Sequence, residues 1–180
     1  KVPSITPQRE AVWLFEEARR LQRDGFMVRA VDTYRRALAR DPGRLEYRPY
    51  LATALDDLGK YEEAKEQYDL YLKIEPLDSR IRLQRVATLI HLGDYDAATK
   101  ELNGLKLYGS GMAVFHDLSG LLALRTNRPA DAVQSYQTVL EQDSSRVDAR
   151  INMAQAYLLL GQSEKAQEQL DIALKTGPQG

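Results

Sequence analysis

The chain has 180 residues, 43% hydrophobic and 28% charged, with a net charge of −1, and so lacks the overall charge that draws a protein to nucleic acid or anionic membrane. It contains no cysteine, which removes disulfides, thiolate nucleophiles and Cys-ligated metal; this suits any compartment and leans toward an extracytoplasmic, periplasmic one over the cytoplasm. No apolar run approaches the roughly 18 residues needed to span a bilayer.

Charge is unevenly spread: residues 1–44 hold ten Lys and Arg against six Asp and Glu, a net +4, leaving −5 for the remainder. Solvated helix faces account for such a pattern, which would also orient a charged partner. Residues 1–10 form an N-terminal extension. Within it Lys1–Thr6, with Pro3 and Ser4, is expected to be extended or disordered. A start at Lys1 with no signal-peptide pattern is what a processed or excised chain would show.

Thr6 before Pro7 suits a helix start, with Thr6 as N-cap and Pro7 in the first helical position. A first helix then runs through Trp13, Leu14, Ala18 and Leu21 to about Asp24, and a second from Val28 to Arg40, stopped by Asp41-Pro42-Gly43. Residues 45–78 repeat the plan. Tyr47, Leu51, Ala52 and Leu55 share one helix face; Ala64, Tyr68, Tyr71 and Leu72 share the next; the turn falls at Gly59-Lys60 and Pro76 closes the unit. A third pair is expected at about Ser79–Leu92 and Asp96–Leu107. Its second helix carries Asn103-Gly104, where glycine costs about 1 kcal/mol relative to alanine, and Gly109-Ser110-Gly111 follows. That run is either a flexible joint or a longer frayed connection. Residues 113–146 form a fourth unit with Pro129 near the start of its second helix, and a fifth runs from Val147 to Gly177-Pro178.

Two rulers run through these units. Gly25, Gly59 and Gly93 fall 34 residues apart and Gly161 lies twice that interval further on; the position skipped is Asn127, the residue best able to replace glycine in a left-handed turn. Ala30, Ala64, Ala98, Ala132 and Ala166 recur at the same interval. A small slot in each first helix reads Ala18, Ala52, Val86, Gly120 and Ala154, and an aromatic slot in each second helix reads Tyr34, Tyr68, Leu102, Tyr136 and Leu170. This pattern resembles the tetratricopeptide repeat family, and residues 11–180 resemble five consecutive repeats. The resemblance implies an all-α fold, a right-handed α-solenoid superhelix of antiparallel helix pairs forming a single domain over 11–180, with repeats at about 11–44, 45–78, 79–112, 113–146 and 147–180.

Nothing in the sequence supplies reaction chemistry. His91 and His116 lie in different units with no ligand at helical spacing, no serine sits in a nucleophile elbow, and Gly109-Ser110-Gly111 is too short to cradle phosphate. Asp56 and Asp57 point about 100° apart on a helix and make no catalytic dyad. No enzyme activity, cofactor or metal is expected. Asp56, Asp57, Asp117 and Asp148 on the faces that would meet phosphate argue against nucleic acid.

The family resemblance implies that first helices line a concave groove for peptide segments of partner proteins. In this chain that groove would be built from Phe15, Arg19 and Arg23, then Asp56, then Leu83 and Ile90, then Leu121, Leu124 and Arg125, then Ile151 and Leu158. The family's carboxylate clamp needs a set of lysine, arginine and asparagine that neither Phe15, Arg19, Tyr50, Arg80 and Gln84 nor Leu83, Ala87, Leu118, Asp148 and Asn152 provides. The reading is a protein-interaction module or scaffold that takes a peptide or an amphipathic helix on an apolar face, in the kind of secretion, pilus or polysaccharide-export assembly where the family serves. A second reading is self-association as a homo-oligomer through the apolar C-terminal repeat, where Leu158, Leu159, Leu160 and Leu174 would otherwise meet water.

Overall fold

Several helix starts follow a local capping or proline signal, and the computed structural model, which describes residues 6–177, shows ten α-helices and no strand among them. Thr6 caps α1 (Pro7–Arg23), its hydroxyl accepting from the Arg9 N–H, with Pro7 in the first turn. Then come α2 (Met27–Arg40), a 3-10 turn at Leu45–Tyr47, α3 (Arg48–Asp57), α4 (Tyr61–Leu72) and α5 (Ser79–His91). The second half holds α6 (Tyr95–Gly109), α7 (Ala113–Arg125), α8 (Pro129–Gln142), α9 (Val147–Leu159) and α10 (Ser163–Thr176). Asp78 and Asp94 cap α5 and α6 with their carboxylates. The expectations for Lys1–Ile5 and for the closing Pro178 lie outside the described residues.

The glycine ruler marks real turns. Gly25, Gly59, Gly93 and Gly161 all adopt φ between 71° and 83°, and Asn127, the one non-glycine residue with positive φ among the described residues, sits at 55°. At Gly25, Gly59, Asn127 and Gly161 the turn brings the next helix back antiparallel after three residues. α6 runs through Asn103-Gly104 as expected and ends two residues later than expected, at Gly109, with Ala98, Leu102 and Leu105 on one buried stripe along it. Past it the backbone closes, with Met112 N–H donating to Gly109 O at 2.9 Å and the His116 ring nitrogen Nε2 2.8 Å from Ser110 O.

The chain forms two compact units, Lys1–Leu92 and Gly93–Gly180. In the first, α1 packs on α2 and α3 on α4, α2 meets α3 and α4 meets α5, around one core that includes Leu14, Ala18, Tyr34, Ala52, Leu55 and Tyr68. In the second, α7 packs on α8 and α9 on α10, and α8 meets α9, around Ala123, Tyr136, Val139, Met153 and Ala156. The small and aromatic slots meet in space. A Cβ placed on Gly120 would lie 2.8 Å from two carbons of the Tyr136 ring, and Tyr34, Tyr68 and Tyr136 are the largest side chains buried to 1% exposure or less.

Two substitutions separate turn strain from helix contact. Gly59→Ala meets no neighbour but forces a Cβ into a left-handed backbone, and should cost about 1–2 kcal/mol. Gly120→Ala has ordinary helical backbone but drives a methyl group into Tyr136, and should cost about 1–3 kcal/mol. Urea unfolding of both variants checks this, and a Gly120→Ala, Tyr136→Phe double variant should not recover the loss, because the ring carbons rather than the hydroxyl make the clash.

Candidate functional site

In unit Lys1–Leu92 the inner ends of the packed tyrosines reach the face shared by α1, α3 and α5. Phe15 is buried, its ring stacked on Tyr47 with centroids 3.9 Å apart at 6°, and Tyr50 meets it edge-on at 5.1 Å and 86°. Arg19 is held over this cluster, its guanidinium 5.9 Å from the Phe15 centroid and 5.6 Å from that of Tyr50, with Glu16 Oε1 at 3.4 Å. This is a cation–π arrangement on rings that other contacts have already fixed. Arg23 is exposed one turn on. The Tyr34 hydroxyl donates to Gln22 Oε1 at 2.8 Å, and burial pushes its pKa up to about 12.

Asp56 is half-buried and heavily bonded. The Tyr68 hydroxyl donates to Oδ2 at 3.1 Å, and the Thr88 hydroxyl, buried on α5, points at both carboxylate oxygens at 2.9 and 3.0 Å. Burial raises its pKa, and the two hydroxyl donors offset part of that rise. The carboxylate therefore ties α3 to α4 and α5. His91 stacks on Tyr61, centroids 4.7 Å apart, and its charge also favours the ionised Asp56. Between α3 and α5 lies a cleft of about 160 Å³ lined by Glu46, Pro49, Tyr50, Thr53, Tyr71, Arg80, Ile81 and Gln84, with the Gln84 Oε1 buried and without a hydrogen-bond partner.

Unit Gly93–Gly180 has a different face. Leu121 and Leu124 on α7 are half-buried, with Leu124 packed against the core, and Arg125 is exposed. On the neighbouring α9, Ile151 and Leu158 are 49% and 56% exposed. Arg146 fastens the entry of α9 to α7, its Nη2 lying 2.8 Å from Asp117 and 2.6 Å from Asp148. The bond to Asp148 and the pair with Asp117 hold the guanidinium strongly protonated, and the Arg146 bond pulls the Asp148 carboxyl below its usual range.

The predicted residues thus divide. Arg23 and Arg125 are accessible, as are Ile151 and Leu158; Arg19, Asp56, Leu121 and Leu124 are partly so. Leu83 and Ile90 are core residues, 1% and 3% exposed, and Phe15 is covered by its ring partners. These three are closed to a partner in the folded chain, because a first helix is buried on two sides and keeps only a narrow open stripe. Tyr50 and Gln84, which line the open cleft, escaped the sequence reading as site residues. Both sit on the 34-residue ruler that runs from Glu16, and following that ruler would have found them.

The Asp56 pKa carries a sign that can be tested. Its value is raised above 3.8 by folding, so its contribution to stability is full below pH 3.8 and is lost as pH rises through the folded value. Asp56→Asn stays uncharged at every pH. The unfolding free energy of Asp56→Asn relative to the wild-type chain should therefore climb as pH rises from 3.8 through the folded value, and a difference that does not change with rising pH would refute the assignment.

A tetratricopeptide repeat family model matches residues 15–78 and 51–106, and a second model of the same family matches residues 123–180. No curated protein matches the chain. Among solved structures, residues 41 to the end of MamA from Desulfovibrio magneticus RS-1 superpose with a TM-score of 0.79 at 17% identity, over 93% of this chain and 94% of that one. YrrB, described as a TPR protein with an unusual peptide-binding site, gives 0.68 at 21% identity over 94% and 87%. Pseudomonas aeruginosa PilF gives 0.77 at 19% identity over 97% and 79%. At these identities the likeness is one of fold.

Proposed function

The chain belongs to the tetratricopeptide repeat family, whose members are in general protein-interaction modules, and on that premise we propose that it binds a peptide or amphipathic helix of a partner protein without catalysing a reaction. The observation that carries this reading is the apolar stripe of unit Gly93–Gly180, where Ile151 and Leu158 stand in water on α9 beside the partly exposed Leu121 and Leu124 of α7. Exposed leucine and isoleucine in one row match the apolar stripe of a bound helix. Arg125, exposed beside Leu124 at the edge of that row, offers a cation to a partner carboxylate. In unit Lys1–Leu92 the matching surface is aromatic and polar, with Arg19 over Tyr50 and the unpartnered Gln84 oxygen in the neighbouring cleft. That surface suits an extended segment, whose backbone carbonyls and acidic side chains can meet Arg19 at its edge. The setting we propose is a larger bacterial assembly of secretion, pilus or polysaccharide-export type, a reading supported by the bacterial sources of the MamA and PilF structures.

A photo-crosslinking side chain at Leu121, introduced in the native host, tests the stripe. It should capture one discrete protein. An Ile151→Glu, Leu158→Glu double variant should reduce that capture at least about tenfold, the scale of losing buried apolar anchors, while Leu107→Glu, exposed on α6, should leave it intact. Both substituted residues on α9 are exposed, so helicity should not change. Undiminished capture by the double variant would place the partner elsewhere.

A further inference from the structure

One stretch of α6, α7 and α8 departs from the 34-residue period. Leucine stands at 38, 72, 140 and 174, whereas the same position on α6 is Lys106. Arginine at 48, 82 and 150 becomes His116, and Gln67, Glu101 and Gln169 become Ser135. Leu51, Arg85 and Met153 become Ser119. Long side chains bridge this place elsewhere: Arg48 donates to Gln67 Oε1 at 2.7 Å, and Arg150 to Gln169 Oε1 at 3.0 Å. His116 and Ser135 make no such bridge, each turning to a backbone carbonyl instead. Beside them lies a cleft of about 310 Å³ with Leu102, Phe115 and Leu122 as its floor and polar side chains as its walls.

Lys106 and Arg128 line this cleft against one carboxylate, Asp131, so one positive charge is left over before His116 is counted. Arg128 Nη1 lies 3.5 Å from Asp131 and its Nε donates to Thr126, while Lys106 makes no ion pair among the described residues. The hydroxyls have a fixed polarity. Thr99 donates to Tyr95 O at 2.7 Å, Ser119 to Phe115 O at 2.8 Å and Ser135 to Asp131 O at 2.9 Å, so each has only acceptor lone pairs left to offer. A matching ligand therefore brings both negative charge and O–H donors. A cleft of equal volume beside α9 lacks this character, because Glu141 lines it with Arg150, whose guanidinium is taken by Gln169 and the Ser144 carbonyl. We propose that the cleft between α6, α7 and α8 binds a phosphate monoester of a polyol, a ligand of the sugar-phosphate class. Its phosphate, with a charge of about −1.5 to −2 at neutral pH, sits between Lys106 and Arg128, and its hydroxyls donate to Thr99, Ser119 and Ser135. The volume matches the lower bound of small-molecule sites, roughly 300 Å³, and leaves room for a body behind the phosphate. Leu121, Leu124, Ile151 and Leu158 do not line this cleft, and the proposal does not rest on their stripe.

Calorimetric titration of the whole chain with glucose 6-phosphate, glycerol 3-phosphate, glucose and inorganic phosphate tests the assignment. At least one of the two monoesters should bind with a Kd at or below about 1 mM, and at least about tenfold more tightly than glucose or inorganic phosphate. Lys106→Leu restores the residue found at that position in the other repeats. It should weaken the binding about tenfold or more, the scale of one charge-assisted hydrogen bond, while Lys106→Arg should retain it. Ser119→Met, which copies the side chain of α9, should fill the cleft and abolish binding. Lys106 is exposed, so helicity should be unchanged by either substitution there. Inorganic phosphate binding as tightly as the monoesters would mean an adventitious ion only. That result, equal binding of glucose, affinity that survives Lys106→Leu, or a Kd weaker than about 1 mM for both monoesters would each overturn the proposal.

Discussion

The contact on which the rest depends is a tyrosine ring laid against a residue too small to resist it. Where Gly120 meets Tyr136 there is no room for even a methyl group. This lets two helices approach closely, and the helix pair then behaves as one rigid element with an apolar stripe on each side. Neither stripe is satisfied by its own pair. Stacking follows from that deficit, since every pair buries apolar area only by meeting another. Within each unit the left-handed turns at Gly25, Gly59, Asn127 and Gly161 make the approach possible by reversing the chain in three residues.

The same rings decide what the open face looks like. A tyrosine packed in the small slot has its hydroxyl at the far end of the ring, where burial favours a hydrogen-bond partner. Tyr34 reaches Gln22 and Tyr68 reaches Asp56, so packing fixes polar groups at the edge of the binding face. Asp56 in turn takes Thr88, and a carboxylate that began as a groove candidate becomes a tie between α3, α4 and α5. Its worth to a partner is reduced accordingly, because its lone pairs are largely engaged. Arg19 shows the opposite outcome. Two rings orient it and one exposed glutamate accompanies it, which leaves donors free for a ligand.

The helices were legible in the sequence because their signals are local. Thr6-Pro7 states a helix start, Gly at 25, 59, 93 and 161 states left-handed turns, and Asn127 is the substitute that such a turn tolerates. The site was legible only in part. Periodicity reports which residues share a helix face, but not how much of that face a neighbouring helix covers. Leu83 and Ile90 share a face with Ala87 and still end in the core, while Tyr50, one place beyond the slot that was read, stands at the open cleft. Coverage depends on the angle between helices, which is set by side-chain volumes on both partners. That information is spread over many positions and no single spacing carries it.

The two units therefore present different recognition chemistry from one repeat plan. In Lys1–Leu92 the open positions hold arginine, tyrosine and glutamine over an aromatic floor; in Gly93–Gly180 they hold leucine and isoleucine, with charge confined to Arg125 and to the Asp117–Arg146–Asp148 triad at the entry of α9. Salt should act on them unequally. An ionic contact at Arg19 is exposed to screening over about 10 Å at 0.1 M salt, whereas burial of Leu158 and Ile151 is indifferent to it or strengthened by kosmotropic ions. A partner held by the second unit would stay bound as salt rises, and one held by the first would be released. The repeat fixes the scaffold, and the few open positions that packing does not claim are free to set that difference.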